Sequence, residues 1–274
     1  MATVAESEQQ RRKRRHQRTL FDGVAQLYQA TRPGYPEHII DFIAATAGLR
    51  AGSAVLEIGC GTGQLTASLA RPGYDLTAID IGPSMIAAAR QHVGSSPVTF
   101  QTTSFEDFAV PDSSFDLIIS AAAFHWIDPG VKYLKSARLL RPGGWLAVVS
   151  NADCYDAPFG AALHEMWIAR SLDDGAWVRQ RADAETISGS GLFGEPVECT
   201  DEQRMIRPAD AVIGLENTRA TSLSWPDDVR LEFIEELRRR LEGDGDLSLT
   251  LRTVLTMAPV RRDPDQAGHS GLYE

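Results

Sequence analysis

Hydrophobic positions change period repeatedly along this 274-residue chain. Near 54–58, 75–79, 98–102, 115–121 and 145–150 they gather into short, mostly apolar runs. Such runs predict strands buried on both faces. Near 63–71, 83–93 and 131–141 apolar residues recur instead at helical spacing. Pro83 suits the start of the second helix, and Pro142-Gly143-Gly144 stops the third. This alternation predicts an α/β fold, an open parallel sheet covered on both faces by helices. Ligands in such sheets lie beyond the carboxyl ends of the strands. That rule collects Gly59–Gly63, Asp80, Ser104 and His125 at one edge.

The flanks are less regular. Phe21, Val24, Ala25 and Tyr28 share a helical face, which Arg32-Pro33-Gly34-Tyr35-Pro36 interrupts. Ile39, Ile43 and Ala47 form the next stripe, ended by Gly48. After Asn151 the rhythm changes, and 156–190 read as irregular and helical, with Met166, Trp167 and Trp177. Val197–Ile206 reads as a sixth strand and Pro208–Thr218 as a helix. Val229, Phe233, Leu237 and Leu241 make a helical stripe behind Pro226, and Ser248–Met257 reads as a seventh strand. The expected organisation is one domain over 19–258, after an arm at 1–18 and before a loose tail at 259–274.

The most informative segment is Val55-Leu56-Glu57-Ile58-Gly59-Cys60-Gly61-Thr62-Gly63-Gln64. A strand ends in three glycines at alternate positions, and a helix follows. Bare backbone at such a turn lets a ligand lie against the main chain. Asp80 closes the next strand, about 20 residues on, where a carboxylate can accept both hydroxyls of a ribose. A dinucleotide fingerprint spaces its glycines Gly-x-Gly-x-x-Gly to meet a pyrophosphate. Here the third glycine comes one residue early, which suits a ligand without a pyrophosphate, such as S-adenosylmethionine.

Val55–Gln64, Asp80, Phe115-Asp116-Leu117-Ile118-Ile119-Ser120 and Leu139-Leu140-Arg141-Pro142-Gly143-Gly144-Trp145-Leu146 resemble, in order and spacing, the class I S-adenosylmethionine-dependent methyltransferases. Phe21-Asp22-Gly23-Val24-Ala25-Gln26-Leu27-Tyr28, Arg32-Pro33-Gly34-Tyr35-Pro36 and Phe124-His125-Trp126-Ile127-Asp128-Pro129 resemble the small-molecule branch that includes the trans-aconitate methyltransferases. The resemblance implies a Rossmann-like, seven-stranded, mostly parallel sheet whose seventh strand is antiparallel and pairs with the sixth. It also implies a helical cap inserted after the fifth strand, here about 151–195, that helps to form the substrate pocket.

The resemblance further implies roles for individual residues. Gly59, Gly61 and Gly63 line the methionine part of the cofactor. Glu57 steadies the loop and reaches toward the cofactor amino group, with local capping of backbone as the competing reading. Asp80 takes the ribose, against a competing N-cap role, and Ile81 touches the adenine face. In the family an Asp commonly stands at the position of Ser104 and takes the adenine amino hydrogen. A serine hydroxyl there accepts more weakly, and Phe105 offers its N–H or its ring. Glu106 reads equally well as a surface carboxylate. Ser120 and the alanines after it allow close approach. His125 is the candidate general base, with a structural corner as its rival, and Trp126 reads as packing. Arg32 pairs with the methionine carboxylate, and Tyr28 closes over the sulfonium or the acceptor, with ordinary helix packing as its rival.

Composition narrows the setting. The chain is 43% hydrophobic and 23% charged, ordinary for a globular protein. No apolar run approaches the ~20 residues that cross a bilayer. Cys60, Cys154 and Cys199 lack metal-ligand spacing, so no metal is expected, and a reducing cytoplasm is the expected home. Residues 1–18 carry six Lys/Arg and two Glu, while the whole chain is −10. The acidic body argues against nucleic acid as a partner. The block Arg11–Arg18 reads as a solvated, disordered arm, because like charges repel; a grip on nucleic acid or an anionic membrane is the alternative. The expected function is methyl transfer from S-adenosylmethionine to a small-molecule acceptor, most simply an oxygen, in a setting such as secondary metabolism. Two rivals are a non-methyl reaction such as cyclisation on the same scaffold, and a non-catalytic regulatory protein docking through the arm. Oligomeric state is not legible.

Overall fold

The computed structural model describes residues 8–170, 184–242 and 246–261. Its centre is a seven-stranded sheet in the order β3-β2-β1-β4-β5-β7-β6. The strands are β1 Ala54–Ile58, β2 Asp75–Asp80, β3 Val98–Thr102, β4 Phe115–Ala121, β5 Leu140–Tyr155, β6 Val197–Arg207 and β7 Leu247–Pro259. The first five pair in parallel, and β7 runs antiparallel between β5 and β6. This is the expected Rossmann-like sheet, including its reversed seventh strand.

Each face of the sheet buries its own apolar layer. Helices α3 (Glu37–Ala47) and α4 (Gln64–Leu69) cover one face, packing Ile39, Ile43, Leu65 and Leu69 on Val55, Leu117, Ile119 and Val149. Helix α6 (Pro129–Leu139) and the short α8 (Ala184–Gly189) cover the other, with Leu139 and Ile187 against Leu56, Ile118 and Leu146. Helix α5 (Pro83–Val93) lies over Ala78 through Ile86. A third cluster joins α7 (Phe159–Arg170), α9 (Ala209–Asn217) and α11 (Asp227–Leu241), through Leu163, Met166, Val212, Phe233 and Leu237. The short α10 (Ala220–Leu223) links α9 to α11.

Four expectations are corrected. The basic arm is not a solvated coil over residues 8–17: it forms helix α1 (Glu8–Gln17), and Arg14 is buried. Its guanidinium donates to the carbonyl of Trp126 at 2.8 Å and to Asp128 Oδ2 at 3.3 Å, so one charge of the block is paired rather than repelled. The segment after it is not one helix but a 3-10 turn, Leu20–Val24, followed by α2 (Ala25–Thr31). The fifth strand reaches Tyr155 instead of ending at 150, because β7 pairs with it along Trp145–Tyr155. The proposed cap does not hold Trp167 over the site. That ring packs against Trp225 and Phe233, and its N–H donates to Glu216 at 3.1 Å. Trp177 lies outside the described residues.

Candidate active site

The carboxyl ends of β1, β2 and β4 open into one crevice, covered by the N-terminal segment. Its walls include Gly59, Gly61, Asp80, Ile81, Met85 and Phe105 on the sheet side. Arg18, Phe21, Tyr28, Glu106, Ala121–Ala123 and Trp126 line it as well. The Gly-rich turn is built for close approach. Gly59 has φ 69, and a Cβ on it would stand 2.3 Å from the Cβ of Ala123. Only glycine lets β1 turn there while the chain after β4 passes so near. Ala122, on the opposite wall, itself adopts φ 52, a conformation rare outside glycine. Its N–H donates to the carbonyl of Val149 at 2.8 Å, which helps to hold it.

Asp80 sits where the ribose acceptor was expected. Its Oδ2 accepts from the N–H of Gly61 at 2.9 Å and its Oδ1 from that of Gly82 at 2.8 Å. Each carboxylate oxygen has a second lone-pair site, so both oxygens retain acceptor capacity while the group is held rigidly. Burial pushes the Asp80 carboxyl up, against the lowering effect of those two N–H groups.

A second polar group lies under the Gly-rich turn. Glu57 is buried, its Oε2 has no hydrogen-bond partner, and burial drives its pKa up to about 8. Arg32 donates from Nη2 to the carbonyl of Thr218 at 2.8 Å and stacks 4.8 Å from the centre of the Tyr28 ring. Its buried Nε has no partner. The Tyr35 phenol is pushed up, chiefly by burial of its hydroxyl and less by the charges of Tyr28 and Glu57, against the lowering effect of Arg32. Glu57 and Arg32 do not themselves line the crevice wall, but each carries one buried polar atom without a partner, an acid oxygen and a guanidinium N–H, the kinds of group that complement the ammonium and carboxylate of an amino acid. The nearby Asp80 is complementary to a ribose. The residues present therefore fit S-adenosylmethionine.

Several expected site residues are turned away from the crevice or engaged locally. Gly63 does not line the crevice; it is the left-handed N-cap of α4, against Ala89. The Ser104 hydroxyl donates to Asp107 at 2.6 Å and accepts from the Asp107 N–H at 3.1 Å, closing its own turn. The Ser120 hydroxyl donates to the carbonyl of Ile58 at 2.9 Å, tying β4 to β1. His125 does not line the crevice either. Its ring lies 4.6 Å from that of Trp126, and burial, aided by Lys132, lowers its pKa to about 4. Trp126, expected to be mere packing, is the residue of that pair that reaches the wall.

Three contributors were missed. Arg18 pairs with Glu106 at 2.8 Å across the wall, and Phe21 meets both Tyr28 and Trp126 edge-on with ring centres 6.0 Å apart. Arg14 and Arg18 are four residues apart, the spacing of one helix face, and that was the available signal. Asp22, quoted only as part of the Phe21–Tyr28 motif, binds the start of α5, a partner the sequence does not show.

Comparison with known proteins identifies the family and the fold. Residues 56–148 match the family described as "Methyltransferase domain". An uncharacterized methyltransferase of Mycobacterium tuberculosis is 36% identical over 238 residues, covering 83% of this chain and 88% of its own. A ubiquinone biosynthesis O-methyltransferase of Xanthomonas oryzae is 34% identical over 193 residues, covering 62% of this chain and 80% of its own. Among solved structures, one from Anaeromyxobacter dehalogenans superposes with a TM-score of 0.59 at 23% identity, covering 84% of this chain and 97% of that one. At that identity the likeness is one of fold.

Proposed function

The chain belongs to the S-adenosylmethionine-dependent methyltransferases, and from that premise we propose that it methylates an oxygen of a small molecule, a hydroxyl or a carboxylate, by in-line displacement. The carrying observation is the crevice lined by Gly59, Gly61 and Asp80, with the buried Glu57 close enough to feel the Asp80 charge. Bound S-adenosylmethionine supplies a methyl group on a positively charged sulfur, an electrophile that needs no further activation. The protein's task is then alignment and exclusion of water. Asp80 accepts from the ribose hydroxyls, and Glu57 and Arg32 hold the amino-acid end. Gly59 and Gly61 bring bare backbone against the ligand. Tyr28 presents an aromatic face to the cationic centre. Phe21, Trp126 and Ala121–Ala123 keep water away from the acceptor.

Oxygen is favoured by the O-methyltransferase relatives. A carboxylate acceptor arrives ionised and asks no proton transfer of the protein. That matches a wall from which His125 is absent. The motifs around Tyr28, Arg32 and His125 support the branch that includes trans-aconitate methyltransferases. Incubation with methyl-labelled S-adenosylmethionine and a panel of small carboxylic acids and phenols tests the reading. Label should appear in base-labile esters or in stable ethers. Cofactor consumption or product formation without label transfer would overturn it in favour of a non-methyl reaction.

A further inference from the structure

Helix α5 begins without a cap of its own. Its N-cap position is Gly82, which has no side chain, and Pro83 follows in a first turn without an acid. The first N–H groups of a helix have no partner inside it. Two of these are satisfied from far along the chain. Asp22 Oδ1 accepts from the N–H of Ser84 at 2.7 Å and from that of Met85 at 3.3 Å, and Asp22 Oδ2 accepts from the Ser84 hydroxyl at 3.1 Å. The bareness of Gly82 makes room for this. A Cβ there would stand 2.6 Å from Asp22 Oδ1. The same residue holds the ribose acid, since the Gly82 N–H donates to Asp80 Oδ1 at 2.8 Å. One turn therefore carries the cap at one end and Asp80 at the other.

We propose, resting on the methyltransferase reading, that Asp22 is a positioning residue for the cofactor. By capping α5 from the N-terminal segment it fixes the turn from Asp80 to Pro83 and so sets the grip of Asp80 on the ribose hydroxyls. Asp22 touches no ligand in this role. It also ties that grip to the segment carrying Phe21 and Tyr28, which line the same crevice.

The test is calorimetric binding of S-adenosylhomocysteine and of its 2′-deoxy and 3′-deoxy analogues. The proteins are the unaltered chain, Asp22→Ala, Asp22→Ser, Gly82→Ala and the Asp22→Ala/Gly82→Ala double variant. Asp22→Ala should weaken S-adenosylhomocysteine roughly tenfold, the scale of a lost helix cap. It should weaken the deoxy analogues much less, because they have less ribose grip to lose. Asp22→Ser, which keeps an oxygen at the end of a short side chain, should recover part of the loss. Gly82→Ala should mimic Asp22→Ala, and the double variant should be no worse than Asp22→Ala alone. Equal weakening of all three ligands by Asp22→Ala would overturn the proposal, as would a drop in Tm with unchanged affinities. Should Asp22→Ala not fold, the Ser and Gly82 variants decide the matter by the same ratios. Failure of the unaltered chain to bind S-adenosylhomocysteine would instead strike the methyltransferase reading itself.

Discussion

A buried acid oxygen without a partner is costly, and Oε2 of Glu57 is such an atom beneath the Gly-rich turn. Burial raises its pKa from 4.5 to about 8 in the folded chain, so the fold holds this proton more tightly than the unfolded chain does. The associated stability is present below about 4.5 and is lost as pH rises through about 8. A cofactor ammonium favours the ionised form, so binding near pH 7 should release close to one proton, and below the pKa affinity should tighten about tenfold for each unit by which pH rises. Calorimetry in buffers of different ionisation enthalpy reads this directly. Glu57→Gln should abolish the release, and a release unchanged in that variant would contradict the assignment. His125 titrates near 4 and is neutral across the working range. His125→Gln should leave the shape of the pH–rate profile between pH 5 and 9 unaltered; loss of a limb in that variant would restore the residue as a base. At this scale the sequence conveys identity better than engagement. Asp80, Gly59 and Gly61 were legible because a strand, a tight turn and a fixed spacing place them together. Ser104 and Ser120 occupy the expected positions, yet their hydroxyls are taken by Asp107 and Ile58, which only the folded chain reveals.

Among the elements, β1 to β5 and their helices were legible from period alone, since strands buried on both faces differ sharply from amphipathic helices. The N-terminal helix was not. Its charges look self-repelling until Arg14 and Arg18 find Asp128 and Glu106, on the loops after β4 and β3, each more than eighty residues away. Gly130 N–H and Arg14 hold the Asp128 carboxyl below its ordinary range despite the opposing effect of burial. Arg14→Ala leaves the Trp126 carbonyl and Asp128 without that donor, and should cost about 1–3 kcal/mol in urea unfolding. Arg18→Ala breaks a more exposed pair and should cost less than about 1 kcal/mol, with a salt dependence. Equal costs for the two variants would show that α1 is not anchored through Arg14. The placement of Trp167 has a similar cause. Trp167 packs on Trp225 and Phe233 in the α7–α9–α11 cluster, and sequence shows apolarity but not its partner.

For the molecule as a whole, the sheet supplies bare backbone and the ribose acid, and the N-terminal segment supplies the cover. The net charge of −10 coexists with a cationic helix because that helix docks on acids of the same chain. No described helix is long and apolar enough to cross a membrane. These pieces meet at Asp80, where two strands, the Gly-rich turn and the start of α5 converge. The most direct measurement is titration of S-adenosylhomocysteine into the unaltered chain and into Asp80→Ala. The account predicts saturable one-to-one binding that weakens by about 2–3 kcal/mol in the variant, the scale of hydrogen bonds to a charged acceptor. An unchanged affinity in Asp80→Ala, or no binding to the unaltered chain, would contradict it.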